Sequence, residues 1–64
     1  MKKFENAAFE VKQAIYLRMD YNIITFGDAR VDDVIEVAND LGVEITEEEI
    51  NEYFEEVKIF NCNC

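Results

Sequence analysis

Apolar residues recur along the chain at helical spacing in three separate segments. The first segment covers residues 4–20, the second residues 28–41 and the third residues 47–60, and in each the apolar positions fall three or four residues apart. Three amphipathic helices with short connections predict an all-α fold, a compact three-helix bundle. We expect one domain over residues 1–64, with residues 61–64 as a flexible tail.

The segment between the first two predicted helices does not follow the helical pattern. Tyr21–Phe26 is rich in β-branched and aromatic residues and ends at Gly27, which is typical of a short strand or of a packed loop. The pattern does not separate these two, so an extended segment near residues 22–26 is part of the expectation.

Three local signals mark where the later helices begin and end. Thr25 or Asp28 is available as N-cap of the second helix, and Gly42 is expected to close that helix in the left-handed conformation. Thr46 and Glu49 have the spacing of a capping box, in which each side chain bonds to the backbone N–H of the other residue. The third helix should therefore begin directly after Thr46.

The first predicted helix also carries a second stripe, which includes Phe9 and Tyr16, on another side from its main apolar positions. In a small domain such rings most often fill the core. If they are exposed, they are natural anchors for a partner. Both residues are therefore candidates for partner binding.

The composition argues against catalysis. The chain has no histidine and no serine, which removes the commonest general base and metal ligand, and it contains no phosphate-binding, dinucleotide, zinc or calcium motif. We expect no enzymatic activity, no cofactor, and no catalytic or metal-binding residues. Cys62 and Cys64 stand too close together to join distant parts of the fold, and whether they are reduced, oxidised or metal-bound stays open.

Charge is distributed unevenly along the chain, whose net charge is -9. Up to Phe26 there are four basic and three acidic residues, whereas from Gly27 onward two basic residues stand against twelve acidic ones. Such a surface repels nucleic acid and anionic membranes and attracts basic protein surfaces over roughly 8 Å in physiological salt. The expected partner is a basic protein surface, with no direct binding of nucleic acid or membrane.

The acidic residues form two rows at i, i+4 and i+8, each stepping about 6 Å along its helix. A solvated helix face is the simplest interpretation, yet like charges at this spacing cost stability, which favours a binding role. The candidate partner-binding carboxylates are Asp32, Asp33, Glu36, Asp40, Glu44, Glu48, Glu52, Glu55 and Glu56.

The acidic stretch Asp28–Glu56, in a short chain without histidine or catalytic motifs, is similar in kind to small phage-encoded inhibitors, including DNA-mimic and some anti-CRISPR proteins. This resemblance implies a protein that occupies the basic groove of a nucleic-acid-handling effector in the host cytoplasm. A second resemblance covers Val34–Phe54, which looks like the helical half of nitrile-hydratase-like leader peptides of ribosomal natural products. It implies recognition by a modifying enzyme or peptidase.

An interaction or assembly module is a further alternative, which would bind through apolar surface around Phe9, Tyr16 and Tyr21–Phe26. Self-association as a homodimer also stays open, because a chain of 64 residues buries only about 60% of its unfolded surface. No apolar run approaches the roughly 20 residues that cross a bilayer, and a cytoplasmic protein is expected.

Overall fold

The computed structural model describes the backbone of residues 1–61 and the side chains of residues 1–57. The prediction of an all-α three-helix fold is confirmed. The predicted tail lies outside the described residues except for Asn61, which ends the last helix. The elements in chain order are β1 (Lys2–Lys3), a 3-10 turn (Phe4–Asn6), α1 (Phe9–Phe26), α2 (Val31–Asp40), β2 (Val43–Glu44) and α3 (Glu47–Asn61).

The first helix begins at Phe9, five residues later than the apolar spacing predicted. The N-terminal residues pair instead with β2 as a parallel strand, with Lys2 opposite Val43. Phe4 then turns into the core, and Ala7 and Ala8 have extended backbone before α1 starts. Strand pairing and burial of Phe4 therefore override the local helical tendency of this segment.

The segment Tyr21–Phe26 is helical, so the expectation of a strand or loop near residues 22–26 is wrong. Within it Ile23 packs against the core, and Asn22 is buried. Gly27 ends the helix with φ of 72°, and its N–H donates to the carbonyl of Ile23. A left-handed glycine is the ordinary C-terminal signal of a helix, and tertiary packing outweighs the β tendency of the residues before it.

The second helix begins at Val31 and uses neither Thr25 nor Asp28 as N-cap. Arg30 occupies the N-cap position in the left-handed conformation, with φ of 59° and no side-chain cap. Such a backbone costs a non-glycine residue roughly 1–2 kcal/mol. In this turn Ala29 is buried and its carbonyl accepts a hydrogen bond from the Asn22 amide, and the Arg30 guanidinium lies 4.6 Å from the centre of the Phe26 ring.

The predicted end of α2 and the predicted start of α3 are both observed. Gly42 has φ of 76° and follows Leu41, the C-cap residue of α2, which ends at Asp40. The Thr46 N–H donates to Oε1 of Glu49, and the Glu49 N–H donates to Oγ1 of Thr46, each at a distance of 3.1 Å. Ile45 and Ile50 on either side of this capping box are buried.

A single core receives side chains from all three helices and from β2. Ile15 and Met19 of α1, Val34 of α2 and Ile50 of α3 are the largest apolar side chains that are fully buried there. The remaining buried apolar residues are Phe4, Ala29, Ala38, Val43 and Ile45. Because α2 and α3 turn their apolar stripes to this core, the carboxylates of these two helices face outward.

We predict that Thr46→Ala lowers the free energy of unfolding by about 1 kcal/mol, because it leaves the Glu49 N–H without its side-chain acceptor. Urea unfolding followed by circular dichroism measures the loss. Thr25→Ala is the matched control, since Thr25 is exposed inside α1 and should change stability little. Equal losses in the two variants would contradict a capping role for Thr46.

Candidate partner-binding surface

The carboxylates of α2 point away from the core. Val34 and Ala38 are buried on one side of this helix, whereas Asp32, Glu36 and Asp40 are exposed. No lysine or arginine interrupts this row within α2. All charged residues on the outer side of the helix are therefore acidic, as its spacing predicted.

The third helix presents a second acidic side. Its predicted partner-binding residues are all exposed, while Ile50 on the opposite side is fully buried. Those exposed residues are Glu48, Glu52, Glu55 and Glu56. Glu44 is exposed on β2, between the two helices in the chain. These side chains remain candidates for contacts with a partner.

Asp33 differs from the other candidate carboxylates because both of its oxygens are bound inside the chain. Arg18 holds it with two hydrogen bonds, Nε to Oδ2 at 2.7 Å and Nη2 to Oδ1 at 3.0 Å. The hydrogen bonds from Arg18 and from Asn22 keep the pKa of Asp33 below its ordinary value. Its carboxylate joins α2 to α1.

Sequence reasoning missed Asn22, which is the only buried polar side chain among the described residues. Its amide donates to the carbonyl of Ala29 at 3.0 Å and to Oδ2 of Asp33 at 2.9 Å. A buried amide is costly unless it is bonded in this way. The available signal was a polar residue within the apolar run Tyr21–Phe26. Its burial could not be inferred because that run was not assigned to a helix.

The two aromatic candidates, Phe9 and Tyr16, do not form one exposed stripe. Phe9 is 74% exposed. Tyr16 is half-buried, with its ring centre 5.4 Å from that of Phe4 and 4.7 Å from that of Tyr53. Tyr16 therefore contributes mainly to packing between α1 and α3, and its predicted role as an exposed anchor finds no support in this geometry.

Tyr53 extends the same contact between α1 and α3. Its hydroxyl donates to the carboxylate of Asp20 at 2.7 Å. Burial, followed by this hydrogen bond, raises the pKa of Tyr53 to about 12. A shallow pocket of about 260 Å³ opens beside the two tyrosines and is bordered by acidic side chains of α3, namely Glu49, Glu52 and Glu56.

The exposed apolar side chains of α1 lie on its outer side instead. Leu17 is 63% exposed, Tyr21 54% and Ile24 84%. Next to them runs a groove of about 520 Å³ between α1 and α2, whose lining includes Tyr21, Phe26, Arg18 and Arg30. An apolar surface is thus present, but it lies apart from Tyr16.

The described side chains include no group of three or more Asp, Glu, His or Cys residues that could hold a metal ion. Cys62 and Cys64 lie outside the part of the chain covered by that statement. None of the helices, as far as they are described, is both long enough and apolar enough to span a bilayer. Models of known protein families, curated proteins and solved structures give no match to this chain.

We predict that Asp33→Asn destabilises the protein at neutral pH and progressively less in acid. Because the folded-state pKa of Asp33 is lowered, its stabilising effect is complete above the unfolded-state value of 3.8 and is lost as pH falls through the lower folded-state pKa. Urea unfolding of both proteins between about pH 2 and pH 7 measures the difference.

Asp32→Asn removes a neighbouring exposed carboxylate. Its difference in stability from wild type should not change with pH in the way expected for Asp33→Asn. A difference between wild type and Asp33→Asn that is the same at every pH would contradict the bonding described for Asp33.

Proposed function

We propose that this chain is a non-catalytic acidic binding protein that inhibits a nucleic-acid-handling protein by docking its α2 and α3 carboxylates in a basic groove. One observation carries the proposal. Of the acidic residues in these two helices only Asp33 and Glu49 are less than fully exposed, and the eight others are exposed. Arg18–Asp33 is the only ion pair among the described side chains.

Unpaired carboxylates at this density oppose folding. Like charges four residues apart on a helix destabilise it by a few tenths of a kcal/mol per pair, and a small domain has little stability to spare. A helix surface selected only for solubility can place lysines between its glutamates, which avoids this repulsion. Attraction to a basic surface supplies a reason for retaining the charge.

The spacing of the rows suits a surface that ordinarily binds a phosphate backbone. Exposed carboxylates follow one another about every 6 Å along each helix, against one phosphate every 3.4 Å along a strand of duplex DNA. Long lysine and arginine side chains in a basic groove can adjust to this spacing, since each reaches across several ångströms.

Inhibition follows if the groove is also the nucleic-acid site. A protein bound there excludes the duplex sterically and repels its phosphates, so the two ligands compete. The interaction should weaken with salt, because its attraction is screened beyond roughly 8 Å at physiological ionic strength.

Capture from a nuclease-treated bacterial lysate tests the proposal. We expect immobilised wild-type chain to retain proteins that are released by duplex DNA and by moderate NaCl. Glu52→Gln/Glu56→Gln should lower that retention roughly threefold to tenfold, since each lost exposed ion pair contributes up to about 1 kcal/mol. Glu5→Gln/Glu10→Gln makes the same charge change on two exposed carboxylates of the N-terminal half and should retain the proteins like wild type.

The captured protein is then purified, and its binding to labelled duplex DNA is measured by fluorescence anisotropy with increasing amounts of the chain. Displacement of the DNA supports the proposal. Retention that is insensitive to salt, equal loss in both double variants, or simultaneous binding of DNA and chain would each count decisively against it.

A further inference from the structure

Helix α1 is apolar on two opposite sides. Its inner side contributes Ile15 and Met19 to the core. Its outer face, which we define by Phe9, Leu17, Tyr21 and Ile24, is between about half and more than four-fifths exposed. The same helix also carries polar residues between these two sides, including the exposed Glu10 and Gln13. The outer face of α1 therefore lacks a covering surface in the single chain.

The positions on this face are arranged almost symmetrically about the middle of the helix. In α1, which spans Phe9–Phe26, Leu17 lies at the midpoint. Phe9 stands about 12 Å to one side and Ile24 about 10 Å to the other at 1.5 Å per residue. Two copies of α1 packed antiparallel about Leu17 would place Phe9 of each beside Ile24 of the other. A two-fold interface requires such self-complementarity.

The charge distribution also favours this face as the one through which two copies of the chain associate. Two molecules of net charge -9 repel each other, and they approach most readily through their least charged surface. Within α1 two acidic residues, Glu10 and Asp20, are balanced by two basic ones, Lys12 and Arg18. By contrast, α2 carries four acidic residues and no basic one. The acidic helices thus cannot face each other, whereas the two α1 helices can.

The exposed area agrees with a small dimer interface. Large apolar and aromatic side chains each present roughly 150–250 Å² when fully exposed, so the four that define the outer face offer on the order of 500 Å². A standard interface covers about 800 Å² per partner, and the neighbouring residues of the groove between α1 and α2 supply the remainder. An area of this size suits a reversible dimer.

We propose that the outer face of α1 packs antiparallel against the same face of a second copy, which makes the chain a two-fold symmetric dimer. The acidic sides of α2 and α3 then point away from the interface in both copies. This inference does not depend on the proposed function.

Sedimentation equilibrium of the full chain, over about 1 µM to 500 µM, tests the proposal. We expect a monomer–dimer equilibrium that tightens when NaCl is raised from about 50 to 500 mM, because salt screens the repulsion between two acidic chains. Leu17→Glu should raise the dissociation constant at least about 100-fold, since the new charges meet at the two-fold axis. Leu41→Glu makes the same change at an exposed leucine outside α1 and should leave the dissociation constant near the wild-type value.

Far-UV circular dichroism of both glutamate variants serves as the control for folding. Cysteine cross-linking tests the geometry without a charge change, in a chain that carries Cys62→Ser and Cys64→Ser. Leu17→Cys should form a disulfide-linked dimer under mild oxidation, whereas Asn51→Cys, exposed on α3, should not.

A monomer at every concentration and salt would overturn the proposal. This holds also if Leu17→Glu abolishes binding of a different protein, because the face would then serve another partner. A dimer that Leu17→Glu leaves intact would place the interface elsewhere. A dimer that Leu17→Cys does not cross-link would exclude the antiparallel arrangement about Leu17.

Discussion

Ile15, Met19, Val34 and Ile50 come from three helices and meet in one core, and the rest of the molecule depends on their burial. Burying an aliphatic side chain contributes roughly 1.5–3 kcal/mol. This attraction holds α2 and α3 together although both are strongly acidic. Because the apolar stripes face inward, the carboxylates are left on the outside, where water solvates them.

Apolar burial does not by itself fix how the helices are oriented. The hydrogen bonds among Arg18, Asn22 and Asp33 fix α2 relative to α1. Asn22 lies inside α1, and its amide bonds both to the turn before α2 and to a side chain within α2. The length of α1 and the placement of α2 are therefore linked. If α1 ended near residue 20, as the apolar spacing predicted, Asn22 would lie outside the helix and its amide would not be held beside Ala29 and Asp33.

The molecule presents two surfaces of opposite physical character. The outer sides of α2 and α3 are acidic, whereas the outer face of α1 is defined by exposed apolar side chains on a helix whose own charges sum to zero. Under the two proposals, added salt would weaken association at the first surface and strengthen it at the second. A dimer built on α1 would present two acidic surfaces at once, which raises effective concentration at a target that has two basic sites.

The amino-acid sequence by itself determined the helical class, the left-handed Gly42, the capping box at Thr46 and the outward acidic rows, because each depends on local bonding or on side-chain periodicity. Tertiary structure decided where α1 begins and ends. Pairing of Lys2 with Val43 drew the N-terminus out of the helix, and packing of Asn22 and Ile23 kept Tyr21–Phe26 within it. It also decided that Asp33 and Tyr16 serve internal contacts, because their partners lie at least 11 residues away in the chain, where spacing along one helix carries no information.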